Sequence, residues 1–96
     1  FVFPTNWETF GLVAVEAGLA GLPMVVADIA VLREVLSSAP SPVRFVARDD
    51  TAGWVEAIRA ALDAPPAPET RAAFAGALAA RYSRAGMVER YVALLR

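Results

Sequence analysis

The sequence predicts an α/β fold in which a parallel sheet of three short strands alternates with helices and is followed by helices alone. Three observations predict it. MVVAD, Met24 to Asp28, is a continuous apolar run of strand length ending in a charge, and such a run implies burial on both faces, as in parallel sheets. Segments of helical character separate it from two more short apolar runs, FVF before Pro4 and RFVA at Arg44 to Ala47, and this alternation marks an α/β chain. After Asp49 and Asp50 only helical patterns recur, which divides the chain into a βαβαβ portion, residues 1–50, and a helical portion, residues 51–96.

The elements follow in order. FVF reads as the end of a buried strand that Pro4 stops, because proline cannot donate to a ladder. Gly11 to Gly21 reads as a helix, GLP at Gly21 to Pro23 as punctuation, and Met24 to Asp28 as the second strand. A short helix is expected around Val31 to Leu36, then the loop SSAPSP at Ser37 to Pro42, then the third strand. Thr51 opens a helix whose apolar positions Val55, Ile58, Ala61 and Leu62 keep helical spacing, and DAPPAP at Asp63 to Pro68 ends it. Another helix runs from about Glu69 to Tyr82. A last one starts near Ser83, a suitable N-cap, with Met87, Val88, Tyr91, Leu94 and Leu95 on one side.

Composition narrows the chemistry. At 96 residues the chain is one domain at most, yet it is 57% hydrophobic with mean hydropathy +0.48, rich for a domain with so little interior. It opens on FVFP as though inside a strand, so it reads as a fragment of something larger. A net charge of −1 leaves no electrostatic footprint for nucleic acid. Without cysteine or histidine there are no disulfides, thiolate nucleophiles, imidazole bases or ordinary zinc sites, which leaves carboxylates, hydroxyls, arginine and backbone amides. The missing cysteines suit a reducing cytoplasm. Charges or prolines interrupt every apolar run, so a membrane-spanning helix is not expected.

Two glutamates in FPTNWETFGLVAVEAGLAG, Phe3 to Gly21, stand out in an almost wholly apolar stretch. For Glu8 the plain account is a capping box, since Thr5-Asn6-Trp7-Glu8 fits the S/T-x-x-E pattern of a helix start. Glu16 is harder to place. On a helical wheel Val15, Leu19, Leu12, Glu16, Ala20 and Val13 share one arc, which puts the carboxylate inside an apolar stripe. The opposite side, Ala14, Ala17, Gly18 and Gly21, is small enough for close approach by another element. A buried carboxylate needs donors, either a structural partner such as Arg33 or a ligand that brings hydroxyls.

The order of elements favours a ligand. Glu8 follows one strand and Asp28 ends the next, and open parallel sheets bind ligands outside the carboxyl ends of their strands. The amides of Thr9, Phe10, Gly11 and Leu12 would be unpaired at a helix start, a natural seat for phosphate. In one continuous helix the two carboxylates would lie about 12 Å apart along the axis and about 80° apart around it, which excludes a dyad sharing one proton. It also argues against the pair of a retaining glycosidase, set at about 5 Å. Two separate contacts along an elongated ligand fit better.

FPTNWETFGLVAVEAGLAGLPMVVAD with LREV at Leu32 to Val35 resembles the E-x7-E region of retaining GT-B glycosyltransferases, the glycogen-synthase-like family GT4. The resemblance implies the second half of a Rossmann-like C-terminal domain, one that binds a nucleotide-sugar donor. The acceptor domain and the first half of the donor domain would lie ahead of this region. It further implies Glu8 as the catalytic glutamate facing the donor sugar, the Thr9, Phe10, Gly11 and Leu12 backbone at the sugar and diphosphate, and Glu16 on the ribose hydroxyls. No metal or other cofactor is implied. Thr9 stands where the family often has glycine or serine, and Ile29 and Ala30 where it often has a glycine pair, while Glu34 matches and is read as structural.

The fragment alone is expected to turn over nothing. Its partners would be the donor and an acceptor of unknown class, with peripheral membrane association of the parent and self-association of the fragment both open. Two alternatives stand beside the transferase: a non-catalytic nucleotide-sugar-binding domain, and a structural module in which Glu8 caps and Glu16 is salt-bridged. Asp49 and Asp50 precede a helix and are read as biasing its N-terminus rather than as a metal site. Trp7, Phe10 and Trp54 are read as core anchors, Tyr82 and Tyr91 as helix packing.

Overall fold

A computed structural model describes residues 1–7, 10–38, 41–82 and 92–94. Its strands are β1 (Val2–Phe3), β2 (Met24–Ala27) and β3 (Val43–Val46), and its helices α1 (Leu12–Leu19), α2 (Ala30–Val35), α3 (Thr51–Asp63) and α4 (Pro68–Tyr82). The sheet is parallel in the order β1-β2-β3, with Val2 opposite Val25 and Val26 opposite Phe45. Every residue of the central strand β2 is buried, as its unbroken apolar run predicts. The architecture is that of a Rossmann-like α/β unit, with helices on both faces of the sheet.

Strand alternation assigns those faces. Phe3, Met24, Val26, Val43 and Phe45 pack with Ala14, Val15, Ala17, Leu32, Val35, Phe74 and Leu78, so α1, α2 and α4 cover one face. Val25 and Val46 turn to the other face, where Ala57, Trp54, Ile58 and Ala61 of α3 meet them. Phe74 and Leu78 are fully buried, and α4 is tied down by polar bonds as well. Arg71 donates to the Gly21 carbonyl, Arg81 to the Glu34 carbonyl and the Ser37 hydroxyl, and Tyr82 to the Val35 carbonyl. Tyr82 thus serves helix packing as expected.

The local punctuation follows backbone chemistry. Asp50 caps α3 by accepting from the Gly53 amide, as the acidic pair before Thr51 predicts, and the proline-rich stretch after Asp63 stops the helix. Pro68 at the first position of α4 lacks an N–H that would go unpaired there anyway. At the end of α1, Gly21 turns left-handed (φ 77°) while its amide bonds the Gly18 carbonyl and the Leu22 amide bonds the Ala17 carbonyl. That is a Schellman closure.

Four expectations are corrected. The burial of α1 shifts to its small-residue side: of the expected apolar arc only Val15 is buried, with Ala14, Ala17 and Gly18, while Leu12, Val13, Glu16, Leu19 and Ala20 are exposed. The physical reason is α4, whose Phe74 and Leu78 fit only against the small-residue side; a Cβ added at Gly18 would stand 2.5 Å from Leu78 Cδ1. No helix starts at Thr5, whose hydroxyl instead donates to the Trp7 carbonyl at 3.0 Å, so the capping box has no helix to cap. Trp7 (76% exposed) and Phe10 (39%) are not core anchors, because both precede α1 on the outer rim of the sheet, whereas Trp54 does pack, from α3, against Val25 and Val46 of the sheet. Arg33 binds Asp28 rather than Glu16.

Glu8, Thr9, Ser83, Met87, Val88, Tyr91 and Leu95 lie outside the described residues, although Val92, Ala93 and Leu94 are helical. No helix among the described residues is long and apolar enough to cross a membrane.

Candidate functional site

In a parallel sheet all carboxyl ends share one edge, and three segments of this chain emerge there: residues 4–11 after β1, Asp28 to Ile29 after β2, and residues 47–50 after β3. The first carries the motif. Phe10 sits at a bend and sets its ring edge-on to Tyr82, centroids 5.5 Å apart. Gly11 then takes a left-handed conformation (φ 80°) that side-chain-bearing residues rarely adopt, and a Cβ there would stand 2.6 Å from Leu32 Cδ2. This backbone turns the chain sharply into α1, whose first intrahelical bond runs from the Val15 amide to the Gly11 carbonyl at 3.1 Å. Because Gly11 breaks the helix, the separation expected of Glu8 and Glu16 on one continuous helix does not apply.

Among the described residues no side chain caps α1, and its first turn holds no acidic residue. The amides of Leu12 and Val13 therefore point their N–H groups toward the sheet edge with the positive end of the helix dipole behind them. Glu16 follows one turn along. Its carboxylate is exposed between Leu12, Val13 and Leu19, and among the described residues it has no hydrogen bond or ion pair. The structure thus brings Phe10, Gly11, Leu12 and Glu16 together at one helix start. The positions of Glu8 and Thr9 in the sequence put them immediately ahead of it, outside the described residues.

The neighbouring segments are held internally. Asp28 accepts two bonds from Arg33, at 2.5 and 2.9 Å, and the Arg33 guanidinium also lies over the Phe45 ring, 4.4 Å from its centroid. The bonds from Arg33 hold the Asp28 carboxyl below the usual carboxylate range, against a smaller opposing effect of desolvation, and raise Arg33 in turn. In the turn after β3, the Ala47 carbonyl accepts from the Asp50 amide and from the Trp54 indole, at 3.1 and 3.0 Å. Arg48, which the sequence reading passes over, donates to the Asn6 carbonyl at 2.9 Å and lines a polar depression with Asn6 and Asp49. Its one sequence signal is a cation placed just past a strand end on the ligand side.

Known proteins give the same region a family. The model of the family described as glycosyl transferases group 1 matches residues 1–78. A glycogen synthase of Mycobacterium tuberculosis is 42% identical over 71 residues, covering 74% of this chain and 17% of the relative. A D-inositol 3-phosphate glycosyltransferase 1 of Catenulispora acidiphila is 40% identical over 97 residues, covering 99% of this chain and 22% of the relative. A lipopolysaccharide core biosynthesis mannosyltransferase of Rhizobium meliloti is 35% identical over 67 residues, covering 69% of this chain and 19% of the relative. The chain therefore spans about a fifth of the length of these relatives. No solved structure matches significantly. With a parallel Rossmann-like sheet, an uncapped helix start at its carboxyl edge and a family match across four-fifths of its length, the chain belongs to the group 1 glycosyltransferases, the GT-B enzymes of GT4-like type.

Proposed function

We propose that this chain supplies part of the nucleotide-sugar donor site of a retaining glycosyltransferase. In the reaction the bond from the donor's anomeric carbon to the diphosphate breaks and a bond to an acceptor hydroxyl forms with the same anomeric configuration. The single observation that carries the reading is the state of Glu16: an exposed carboxylate among exposed apolar side chains, without a partner among the described residues, one turn into a helix whose start is uncapped. The structural alternative named Arg33 as its partner, and Arg33 is engaged by Asp28.

The roles follow from charge. A departing diphosphate develops negative charge, which backbone donors already oriented at Phe10, Gly11 and Leu12, with Thr9 before them, can meet without reorganising. The anomeric carbon develops positive charge, which the Glu8 carboxylate would stabilise directly or by holding a sugar hydroxyl. Glu16 would accept hydrogen bonds from the ribose hydroxyls. Leu12 and Val13, exposed beside it, would pack against the flat faces of the ligand and lower the local dielectric. No metal ion is called for, the diphosphate being met by these amides and by basic groups of the family's preceding segment.

The test is calorimetric titration of the intact protein that carries this chain with UDP, GDP and ADP, wild type beside Glu16→Ala. Tight binding of one nucleotide, weakened about tenfold or more by the substitution, is expected, since a hydrogen bond to a charged group is worth about 1.5–3 kcal/mol. Binding indifferent to Glu16 in a variant that folds would make the carboxylate structural and remove the assignment.

A further inference from the structure

Arg48 lies outside the motif, and no role in the site follows from the family assignment. Its place in the sheet gives it one. β1 and β3 are not neighbours, because β2 separates them. The bond from Arg48 Nη1 to the Asn6 carbonyl, 2.9 Å long and joining residues 42 apart in sequence, therefore crosses the carboxyl end of β2 and ties the segment after β3 to the segment after β1.

The base of this tie is firm. The Ala47 carbonyl, one residue before Arg48, accepts from both the Asp50 amide and the Trp54 indole, and Asp50 is itself fixed by the Gly53 amide. Trp54 and Ala57 seat that turn against Val25 and Val46. Its far end is less firm: on the Asn6 side the short β1 is followed by a stretch whose one described side-chain bond is from the Thr5 hydroxyl to the Trp7 carbonyl. An anchored guanidinium thus holds a carbonyl in the segment that leads into the left-handed Gly11 and the uncapped start of α1.

We propose that Arg48 is a positioning residue for the donor site, setting the path of the segment after β1 and so the aim of the groups that follow it. This rests on the donor reading of the α1 start. Arg48 acts through the Asn6 carbonyl and need not touch the donor.

The test is hydrogen exchange and donor kinetics on the intact protein, comparing wild type, Arg48→Ala and Arg48→Lys. Exchange is read on peptides covering Phe3 to Leu12, without ligand. Kinetics are read as release of nucleoside diphosphate from UDP-glucose, GDP-mannose or ADP-glucose. Arg48→Ala is expected to speed exchange in those peptides and to raise donor KM about three- to tenfold, the range of one lost hydrogen bond, with kcat little changed. Arg48→Lys, which keeps a donor of similar reach, is expected to recover most of both. Unchanged exchange in Arg48→Ala would remove the tie itself. Faster exchange with unchanged KM would overturn its role in the site while leaving the donor reading standing. A wild-type protein that neither binds nor turns over any of the three donors would overturn the donor reading and the role together, and the exchange result would still decide whether the tie exists.

Discussion

Helices α1 and α3 both start at the carboxyl edge of the same sheet, one after β1 and the other after β3, and they solve the same problem in opposite ways. Any helix leaves its first amides without intrahelical acceptors. In α3 the chain supplies the acceptor itself: the Asp50 carboxylate takes the Gly53 amide at 2.9 Å, and Trp54 and the Asp50 amide lock the preceding turn onto the Ala47 carbonyl. In α1 the N-cap is a glycine with no side chain to offer, and no acidic residue stands in the first turn. A closed helix start stabilises a fold; on the proposed donor reading, the open one takes its acceptor from the ligand. The same contrast holds for the carboxylates nearby, since Asp28 and Asp50 are bonded within the chain while Glu16 has no partner among the described residues.

The sharpest way to break the contrast is at the open end. Gly11→Ala places a Cβ on a left-handed residue and drives it against Leu32, so a loss of about 2–4 kcal/mol is expected in urea unfolding of the intact protein. Gly21 has nearly the same φ, 77°, with nothing within 4 Å of its missing Cβ. Gly21→Ala should therefore lose only the conformational part, roughly 1–2 kcal/mol. Equal losses at the two glycines would mean that contact with Leu32 is unimportant.

Next in size is Glu16→Ala, which should weaken nucleotide binding by about 1.5–3 kcal/mol while shifting stability by less than about 0.5 kcal/mol, because the side chain is exposed and unpaired among the described residues. Asp50→Ala should do the reverse: about 1 kcal/mol of stability lost with the cap, and nucleotide affinity changed far less than at Glu16, because the Ala47 carbonyl beneath Arg48 keeps both its bonds. A stability loss at Glu16, or an affinity loss at Asp50 as large as that at Glu16, would erase the division between the two starts.

The smallest effect is expected at Asp28. Its pKa is lowered in the folded chain by Arg33, so its contribution to stability is present above the ordinary carboxylate range and is lost as pH falls through the lowered value. Both partners are exposed, 57% and 39% at the side chains, so water screens the pair and the contribution is small. Asp28→Asn should remove that small contribution at neutral pH and change nothing below the lowered pKa, so the acid limb of a stability profile flattens slightly. A steep acid transition that survives the substitution would have to come from another carboxylate.

Much of this was legible in the sequence, and what was not has a physical cause. The run at Met24 to Ala27 announced a strand buried on both faces, and the acidic pair before Thr51 and the prolines after Asp63 bounded α3, because those signals are local. The orientation of α1 was not legible. Its wheel offers two sides that can both be buried, one of leucine and valine and one of alanine and glycine, and periodicity cannot choose between two apolar faces. Phe74 and Leu78, some sixty residues further on, make the choice by filling the small-residue side. Glu16 stands out in the sequence for a burial it does not have; in the structure it draws attention instead as an exposed charge in an exposed apolar strip. Arg48 was missed for the same reason as α1, since its contact lies 42 residues away.

The measurement that tests the central claim most directly is an amide NMR titration of the isotopically labelled intact protein with the nucleoside diphosphate that binds it. The Gly11, Leu12 and Val13 amides are expected to shift with ligand while the Gly53 amide, already bonded to Asp50, stays where it is. Shifts at Gly53 with none at Gly11 to Val13, or none at either, would contradict the claim that the open start of α1 is where the donor binds.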